Sequence, residues 1–207
     1  GTFVKRLPVA PIITSRGCPY ECTYCGVKSN MGSRFRFRSH ENIISEIELL
    51  VNKYGAKEIH IEDDNFTFDK KRIIKFCNML IDKELNISWS CPNGVRLDTL
   101  DADLLRLMER SGCYSFAIGI ESGSPKILKD MNRRMSVNTI KEKINLIASS
   151  TNIRMTGFTM IGYPTETLDD IYQTIKLTLS LPLNRVQYSN FLPLPGTEAT
   201  KLAASLG

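Results

Sequence analysis

The sequence predicts an α/β fold, an incomplete (β/α)6 TIM-like barrel with an open lumen. Apolar extended segments alternate with amphipathic helical segments, which is typical of parallel strands joined by right-handed crossovers. The strand segments number six, and the 207 residues fall short of the roughly 250 of an eight-unit barrel. A doubly wound sheet is the alternative topology that this order of segments leaves open.

The predicted strands are short apolar runs that end in polar or glycine-containing segments. They cover residues 12–15, 58–62, 87–91, 114–120, 153–161 and 185–191. The first predicted helix begins after Ser39, a good N-cap with Glu41 in its first turn, and ends at Gly55. Apolar residues at spacings of three and four predict further helices over residues 70–83, 102–110, 137–149 and 168–179.

Alternation along the strands favours a barrel whose interior is not filled by side chains. In segment 114–121 the bulky face consists of Tyr114, Phe116, Ile118 and Ile120, and the opposite face of Ser115, Ala117, Gly119 and Glu121. A packed barrel interior is dominated by bulky branched side chains. We therefore expect the small face to line the lumen and the bulky face to pack against helices.

Composition and charge describe an ordinary globular chain. Hydrophobic residues make up 42% and charged residues 24%, with a net charge of +5, which permits anionic ligands without indicating nucleic acid. No apolar run approaches the roughly 18 residues of a membrane span. Because the chain begins with GTFVKRLP, we expect residues 1–207 to be one domain excised from a longer chain.

Three of the six cysteines lie close together, in Cys18-Pro-Tyr-Glu-Cys22-Thr-Tyr-Cys25. Such crowding indicates a metal or cluster site in a reducing compartment rather than a disulfide framework, so we expect a cytoplasmic location. Three thiolates at these spacings can hold a cubane iron–sulfur cluster and leave one iron open. The alternative is a zinc site that His40, His60 or a distant aspartate completes.

The segment SRGCPYECTYCG resembles the cluster loop of the radical S-adenosylmethionine (radical SAM) superfamily. Further segments resemble the branch that includes cobalamin-dependent enzymes and methylthiotransferase-like proteins. They follow in order as RFRFRS, EDDNFTFD, GIESGS, GYPTET and PLPGTEA. The resemblance therefore extends over nearly the whole chain.

The resemblance implies roles for individual residues. Cys18, Cys22 and Cys25 would ligate a 4Fe–4S cluster. A second set of residues would contact S-adenosylmethionine (SAM), namely Tyr24, Asp63, Asp64, Asn65, Glu121, Arg133 and Gly162. Asp63-Asp64-Asn65 departs from the Gly-Gly-Glu of many relatives, so the SAM contact within that segment stays open. Arg134 is an alternative to Arg133 as the basic residue.

The resemblance also implies the chemistry. The reduced cluster would cleave SAM to a 5′-deoxyadenosyl radical that abstracts hydrogen from an unknown substrate, with flavodoxin or ferredoxin as electron donor. Cobalamin would enter through a domain outside this chain, in a methyltransferase or an oxidative cyclase. The alternatives are a methylthiotransferase acting on tRNA or protein, and a non-catalytic iron–sulfur or zinc module.

Other chemically interesting residues have a simpler interpretation. Cys77, Cys91 and Cys113 lie on separate predicted elements, so we interpret them as core residues rather than an auxiliary cluster. We interpret His60 as a hydrogen-bonded structural residue in preference to the alternative, a residue that contacts the substrate. Residues 34–38, RFRFR, could form a nucleic-acid surface, but we favour a strand-like loop over the cluster.

Overall fold

The computed structural model describes residues 4–206, which form a partial barrel around one parallel sheet. The sheet has six strands in the order β1-β4-β5-β6-β7-β8, and β2 and β3 form a separate antiparallel ribbon. The strands are β1 Val9–Ile12, β2 Ser15–Arg16, β3 Arg36–Phe37, β4 Glu58–Ile61, β5 Ser88–Val95, β6 Cys113–Glu121, β7 Arg154–Ile161 and β8 Arg185–Asn190. Strands β1 and β8 are not paired with each other, so the barrel is open between them. The predicted fold class is confirmed.

The helices cross from one strand to the next. They are α1 Val27–Met31, α2 His40–Tyr54, α3 Lys70–Asp82, α4 Ala102–Arg110, α5 Pro125–Asp130, α6 Val137–Ser150, α7 Leu168–Leu179 and α8 Glu198–Leu206. Helix α2 begins as predicted, because the Ser39 side chain accepts a hydrogen bond from the Asn42 N–H. It ends at Gly55, whose φ of 69° is left-handed. No helix among residues 4–206 is long and apolar enough to cross a membrane.

The main hydrophobic core lies between the sheet and the helices. Ile59, Trp89 and Ile118 point outward from their strands and are completely buried. Phe66, Phe76 and Trp89 meet edge to face, with ring centroids 5.5–5.8 Å apart. Burial of the bulky strand face confirms the prediction from alternation and leaves the small face toward the lumen.

Tyr114 is an exception to that alternation, and its predicted orientation is wrong. Trp89 pairs with Cys113, and Ser90 pairs with Ser115, so Tyr114 is an extra residue at a β-bulge. Its hydroxyl donates to Glu58 Oε1 at 2.5 Å, and its side chain lines the lumen. A bulge shifts the alternation by one residue, which a strict period of two cannot reveal.

The boundaries of the first strand also differ from the prediction. Strand β1 ends at Ile12, because the Thr14 N–H turns away from the sheet and donates to Asp63 Oδ1 at 2.6 Å. Ser15 and Arg16 instead pair with Phe37 and Arg36. The predicted strand 12–15 therefore spans the junction of two strands. Helices α1, α5 and α8 lie outside the predicted helices.

Candidate active site

The loop that carries Cys18, Cys22 and Cys25, called the cysteine loop below, is held from two sides. On one side the Gly17 N–H donates to Asp64 Oδ2 at 3.0 Å, and Asn65 Nδ2 donates to Cys18 Sγ at 3.6 Å. On the other side Thr23 binds Met131 O and Ala199 N through its backbone. The loop is thereby tied to the segment after β4, to the end of α5 and to the start of α8.

The three thiols of the loop lie around one cavity. Cys18, Cys22 and Cys25 are half-buried and line a cavity of about 420 Å³, together with residues 196–198 at the start of α8. Burial raises the pKa of Cys25, and the nearby Cys22 and Cys18 thiols raise it further. The three thiols are therefore within electrostatic range of one another.

The donor set fits an iron–sulfur cluster better than a single metal ion. Within residues 4–206, no three His, Cys, Asp or Glu side chains converge as ligands of one ion. A cubane cluster needs no such convergence, because each thiolate binds a different iron. Asn65 is buried, and its Oδ1 has no partner among residues 4–206, although its Nδ2 donates to Cys18. Such an orphaned polar atom beside the thiols suits a bound polar group.

Gly17 allows the loop to turn at the first cysteine. Its φ is 85°, and a Cβ there would lie 2.4 Å from the Arg34 carbonyl oxygen. Only glycine fits such a close approach of two backbone segments. The β2–β3 ribbon therefore packs directly against the start of the cysteine loop, as expected of a strand-like RFRFR segment.

Glu121, Arg133 and Tyr24 form a polar group beside the thiols. Arg133 is buried, donates from Nη2 to Gly119 O at 2.7 Å and lies 3.8 Å from Glu121 Oε1. Burial raises the pKa of Tyr24 well above its usual range, and the Glu121 carboxylate raises it further. Burial opposes the charge of Arg133, but its interactions with Tyr24, Glu121 and Cys22 outweigh burial and leave its pKa raised. The structure thus brings together three of the predicted site residues.

Arg133 and Arg134 differ in exposure and in the carboxylate that each faces. The Arg134 side chain is 63% exposed and lies 3.8 Å from Glu21, whereas the Arg133 side chain is 7% exposed and faces Glu121. Arg133 Nε is buried without a partner among the described residues. Arg133 is therefore the basic residue that faces the site.

The three side chains of the Asp63-Asp64-Asn65 segment lie in different environments. Asp63 is buried and accepts hydrogen bonds from Thr14 N, Thr14 Oγ1 and Ser15 Oγ, with Arg72 Nη2 3.8 Å away. Both of its oxygens are thus engaged within the protein. Asp64 is exposed and supports the loop at Gly17. Asn65 alone in this segment retains a buried unpaired acceptor.

Gly162 lies at the carboxyl end of β7. Strands β5 and β6 separate it from β4, after which the cysteine loop is anchored. Its φ is 85°, its N–H donates to Glu166, and no atom lies within 4 Å of where a Cβ would be. A flat ligand could therefore approach this backbone closely.

Sequence reasoning missed two residues that shape the site. Arg72, on α3, is buried against Thr14 and Asp63, and an arginine on the buried face of an amphipathic helix is a signal that could have revealed it. Gly119 has no space for a side chain, since a Cβ would lie 2.4 Å from Glu121 Oε1 and 2.7 Å from Arg133 Nη2. No feature of the sequence predicts that contact.

The remaining cysteines and His60 fit their simpler interpretations. Cys77, Cys91 and Cys113 are buried in the main core, and burial raises the pKa of Cys77 to about 12 and the pKa values of Cys91 and Cys113 well above their ordinary value. They are protonated core thiols at neutral pH. His60 Nε2 lies 2.6 Å from Glu58 Oε1.

An open parallel barrel that presents three thiols on a loop at its carboxyl end defines a class of barrel protein suited to an iron–sulfur cluster. Residues 12–178 match the Radical SAM superfamily. The chain belongs to this superfamily. Membership implies a 4Fe–4S cluster and SAM as cofactors.

The relatives include methyltransferases. The chain is 33% identical over 201 residues to an uncharacterized methyltransferase of Pyrococcus horikoshii, covering 95% of this chain and 42% of the relative. It is 34% identical over 164 residues to cytidylyl-2-hydroxyethylphosphonate methyltransferase of Streptomyces wedmorensis, covering 75% of this chain and 29% of the relative. The chain therefore spans less than half the length of both curated relatives.

A solved structure shares the fold. The radical SAM methyltransferase TsrM of Kitasatospora setae, solved with cobalamin and a 4Fe–4S cluster, superimposes with a TM-score of 0.83 at 17% identity. The superposition covers 92% of this chain and 38% of TsrM.

Proposed function

We propose that this chain is the catalytic core of a radical SAM enzyme that belongs to a cobalamin-dependent methyltransferase or oxidative cyclase. The observation that carries the proposal is the arrangement of three thiols around one cavity beside the Glu121–Arg133 pair. Family membership and the methyltransferase relatives support it.

The protein's own residues bind and orient the cofactors. Cys18, Cys22 and Cys25 hold the cluster, and because they are three rather than four, one iron is left for SAM. Glu121 accepts hydrogen bonds from the polar groups of SAM, and Arg133 fixes the direction of that carboxylate. When bound, the cluster supplies the electron that cleaves SAM to a 5′-deoxyadenosyl radical.

The other SAM contacts follow from position and exposure. Tyr24 packs next to Glu121 and the thiols, and Gly162 leaves an open backbone surface for the adenine. In the 63–65 segment we assign the direct contact to Asn65, with its unpaired Oδ1, and the support of the loop to Asp63 and Asp64.

The proposal includes partners outside this chain. Reduction of the cluster requires a low-potential donor such as flavodoxin or ferredoxin, and a reducing cytoplasm suits both the thiols and the cluster. Cobalamin would be bound by a separate domain.

Anaerobic reconstitution with iron and sulfide tests the cluster assignment. The wild-type chain is expected to bind about four irons, and Cys18→Ala, Cys22→Ala and Cys25→Ala are each expected to abolish stable binding. The matched controls Cys77→Ala, Cys91→Ala and Cys113→Ala should retain it, measured as iron per folded chain. A dispensable Cys22 together with an essential core cysteine would refute the assignment.

A further inference from the structure

A second cavity, of about 440 Å³, lies in the lumen beside the first halves of strands β5 to β8. Its lining includes Ser90 on β5, Ser115 on β6, Arg154 and Thr156 on β7, and Arg185 and Gln187 on β8. These residues begin their strands, whereas the cysteine loop is anchored beyond the carboxyl end of β4. The cavity therefore occupies the end of the lumen that is remote from the cluster site.

The lining of this cavity is positively charged. Among the described residues that line it are Arg154 and Arg185 and no aspartate or glutamate. Thr156 pairs with Arg185 in the β7–β8 register, and Arg154 is two residues earlier on the same face, so the two guanidinium groups belong to neighbouring lumen-facing positions. Two cationic side chains on the same wall favour an anionic ligand.

The arginine on β7 is not used by the fold. Arg154 is exposed and makes no hydrogen bond or ion pair within residues 4–206, whereas Arg106, also exposed, pairs with Asp103. Asn184 also lines the cavity. Its Oδ1 accepts from the Met155 N–H, and its NH2 group is the part of the amide that can donate to a ligand. Guanidinium and amide donors together are the groups that recognise carboxylate and phosphate oxygens.

The cavity wall becomes less polar toward the cluster site. Phe158 follows Arg154 and Thr156 on the lumen face of β7, and Ala117 follows Ser115 on β6. At about 3.3 Å per residue, Phe158 lies about 13 Å along the strand from Arg154. A ligand that fills this cavity therefore has an anionic end and an apolar part.

We propose that Arg154 and Arg185 form an anion subsite for the substrate, binding a carboxylate or phosphate group at the end remote from the reacting carbon. The apolar part of the substrate passes Phe158 toward the cysteine loop. This inference rests on the proposed function, because it assigns the substrate class of that enzyme.

Binding of simple anions to the reconstituted chain tests the subsite. The probes are inorganic phosphate, butyl phosphate and butyrate, followed by isothermal titration calorimetry at constant ionic strength. Butyl phosphate should bind more tightly than inorganic phosphate, because its chain contacts the Phe158 wall. Butyrate distinguishes a carboxylate subsite from one that accepts only phosphate.

Arg154→Gln and Arg185→Gln should each weaken binding of these probes about tenfold, the loss expected of one charge-assisted hydrogen bond. Phe158→Ala should remove only the advantage of butyl phosphate over inorganic phosphate. The matched control is Arg110→Gln, an exposed arginine at the end of α4 outside the cavity. Unchanged affinity in both lumen variants, or an equal loss in Arg110→Gln, would overturn the subsite.

Cluster content and SAM affinity measured on the same samples separate this inference from the proposed function. The lumen variants should keep both, since neither arginine is near the thiols. A wild-type chain that assembles the cluster and binds SAM but binds none of the anions would refute the subsite alone. A chain that binds the anions through Arg154 and Arg185 but never assembles a cluster would instead refute the proposed function.

Discussion

Glu121 adopts a backbone conformation that side chains usually avoid. Its φ of 65° lies in the left-handed region, as do those of Asn132 and Arg134, which flank Arg133. Asn132 lines the cluster cavity, so unfavourable backbone conformations are concentrated at the candidate site. Such conformations persist where the surrounding structure enforces them, and they often accompany function.

Replacement of Glu121 by glutamine tests its role in binding SAM. Glu121→Gln should retain the cluster but weaken SAM binding about tenfold, because a neutral amide replaces a charged acceptor next to Arg133. Titration of SAM into the reconstituted chain, followed by electron paramagnetic resonance of the reduced cluster, measures the affinity. The control Glu142→Gln, on the exposed face of α6, should bind SAM like the wild type. Equal affinity in both variants would remove Glu121 from the site while leaving the family assignment intact.

At the scale of elements, two buried carboxylates join segments that are distant in the sequence. Asp63, after β4, binds the β1–β2 turn through Thr14 and Ser15, and thereby fixes where the cysteine loop begins. Glu58, at the start of β4, accepts from the Lys5 and Arg6 N–H groups at 2.7 Å and from Tyr114 on β6. One carboxylate organises the carboxyl end of the barrel, and the other its opposite end.

The pH dependence of stability should reflect Glu58. Burial opposes its ionisation, but hydrogen bonds from Tyr114, the Arg6 N–H, His60 and the Lys5 N–H outweigh burial and lower its pKa. A lowered pKa in the folded state stabilises the protein above the unfolded-state pKa of about 4.3, and this contribution is lost as the pH falls through the folded-state value. Wild type should therefore lose stability below about pH 4.3.

Urea unfolding between pH 3 and pH 7 measures this contribution. Glu58→Gln should be less stable than wild type at pH 7, and its free energy of unfolding should fall less steeply in acid. Glu142→Gln should follow the wild-type curve. A Glu58→Gln curve parallel to wild type over the whole range would show that Glu58 does not contribute to acid sensitivity.

The sequence predicted elements better than the contacts between them. Helix α2 follows from local signals, because Ser39 and Gly55 act on their own backbone. Tyr114 does not, since the bulge that turns it inward depends on pairing with β5. That Cys18, Cys22 and Cys25 line one cavity could be predicted, because their spacing is local. By contrast, Asp63 holds the loop through its contact with Thr14, which is 49 residues away in the sequence.

At the scale of the whole molecule, the barrel is open along one side. Strand β8 is the last of the sheet and its residues are largely exposed, while α8 packs against Tyr24 of the cysteine loop. The polar group of Glu121, Arg133 and Tyr24 is thus largely enclosed by this chain, whereas the lumen is open between β1 and β8. Binding of SAM and control of the radical are therefore expected to depend on different parts of the protein.

Cleavage of SAM should accordingly be separable from productive chemistry. With dithionite and SAM, the reconstituted chain should slowly form 5′-deoxyadenosine and methionine without substrate, because the residues proposed to hold the cluster and SAM lie within this chain. Added cobalamin should neither remain bound after gel filtration nor change that rate. A chain that retains cobalamin stoichiometrically would show that its binding site lies within these residues.

The same measurements on a longer polypeptide that includes the flanking sequence decide the subclass. Such a polypeptide should retain cobalamin and cleave less SAM without substrate, since a closed lumen keeps water from the reactive centre. If it binds no cobalamin but assembles a second iron–sulfur cluster, methylthiolation of tRNA or protein becomes the better assignment. If the short chain assembles its cluster, binds SAM and yet cleaves none, closure of the barrel by other segments is required for electron transfer itself.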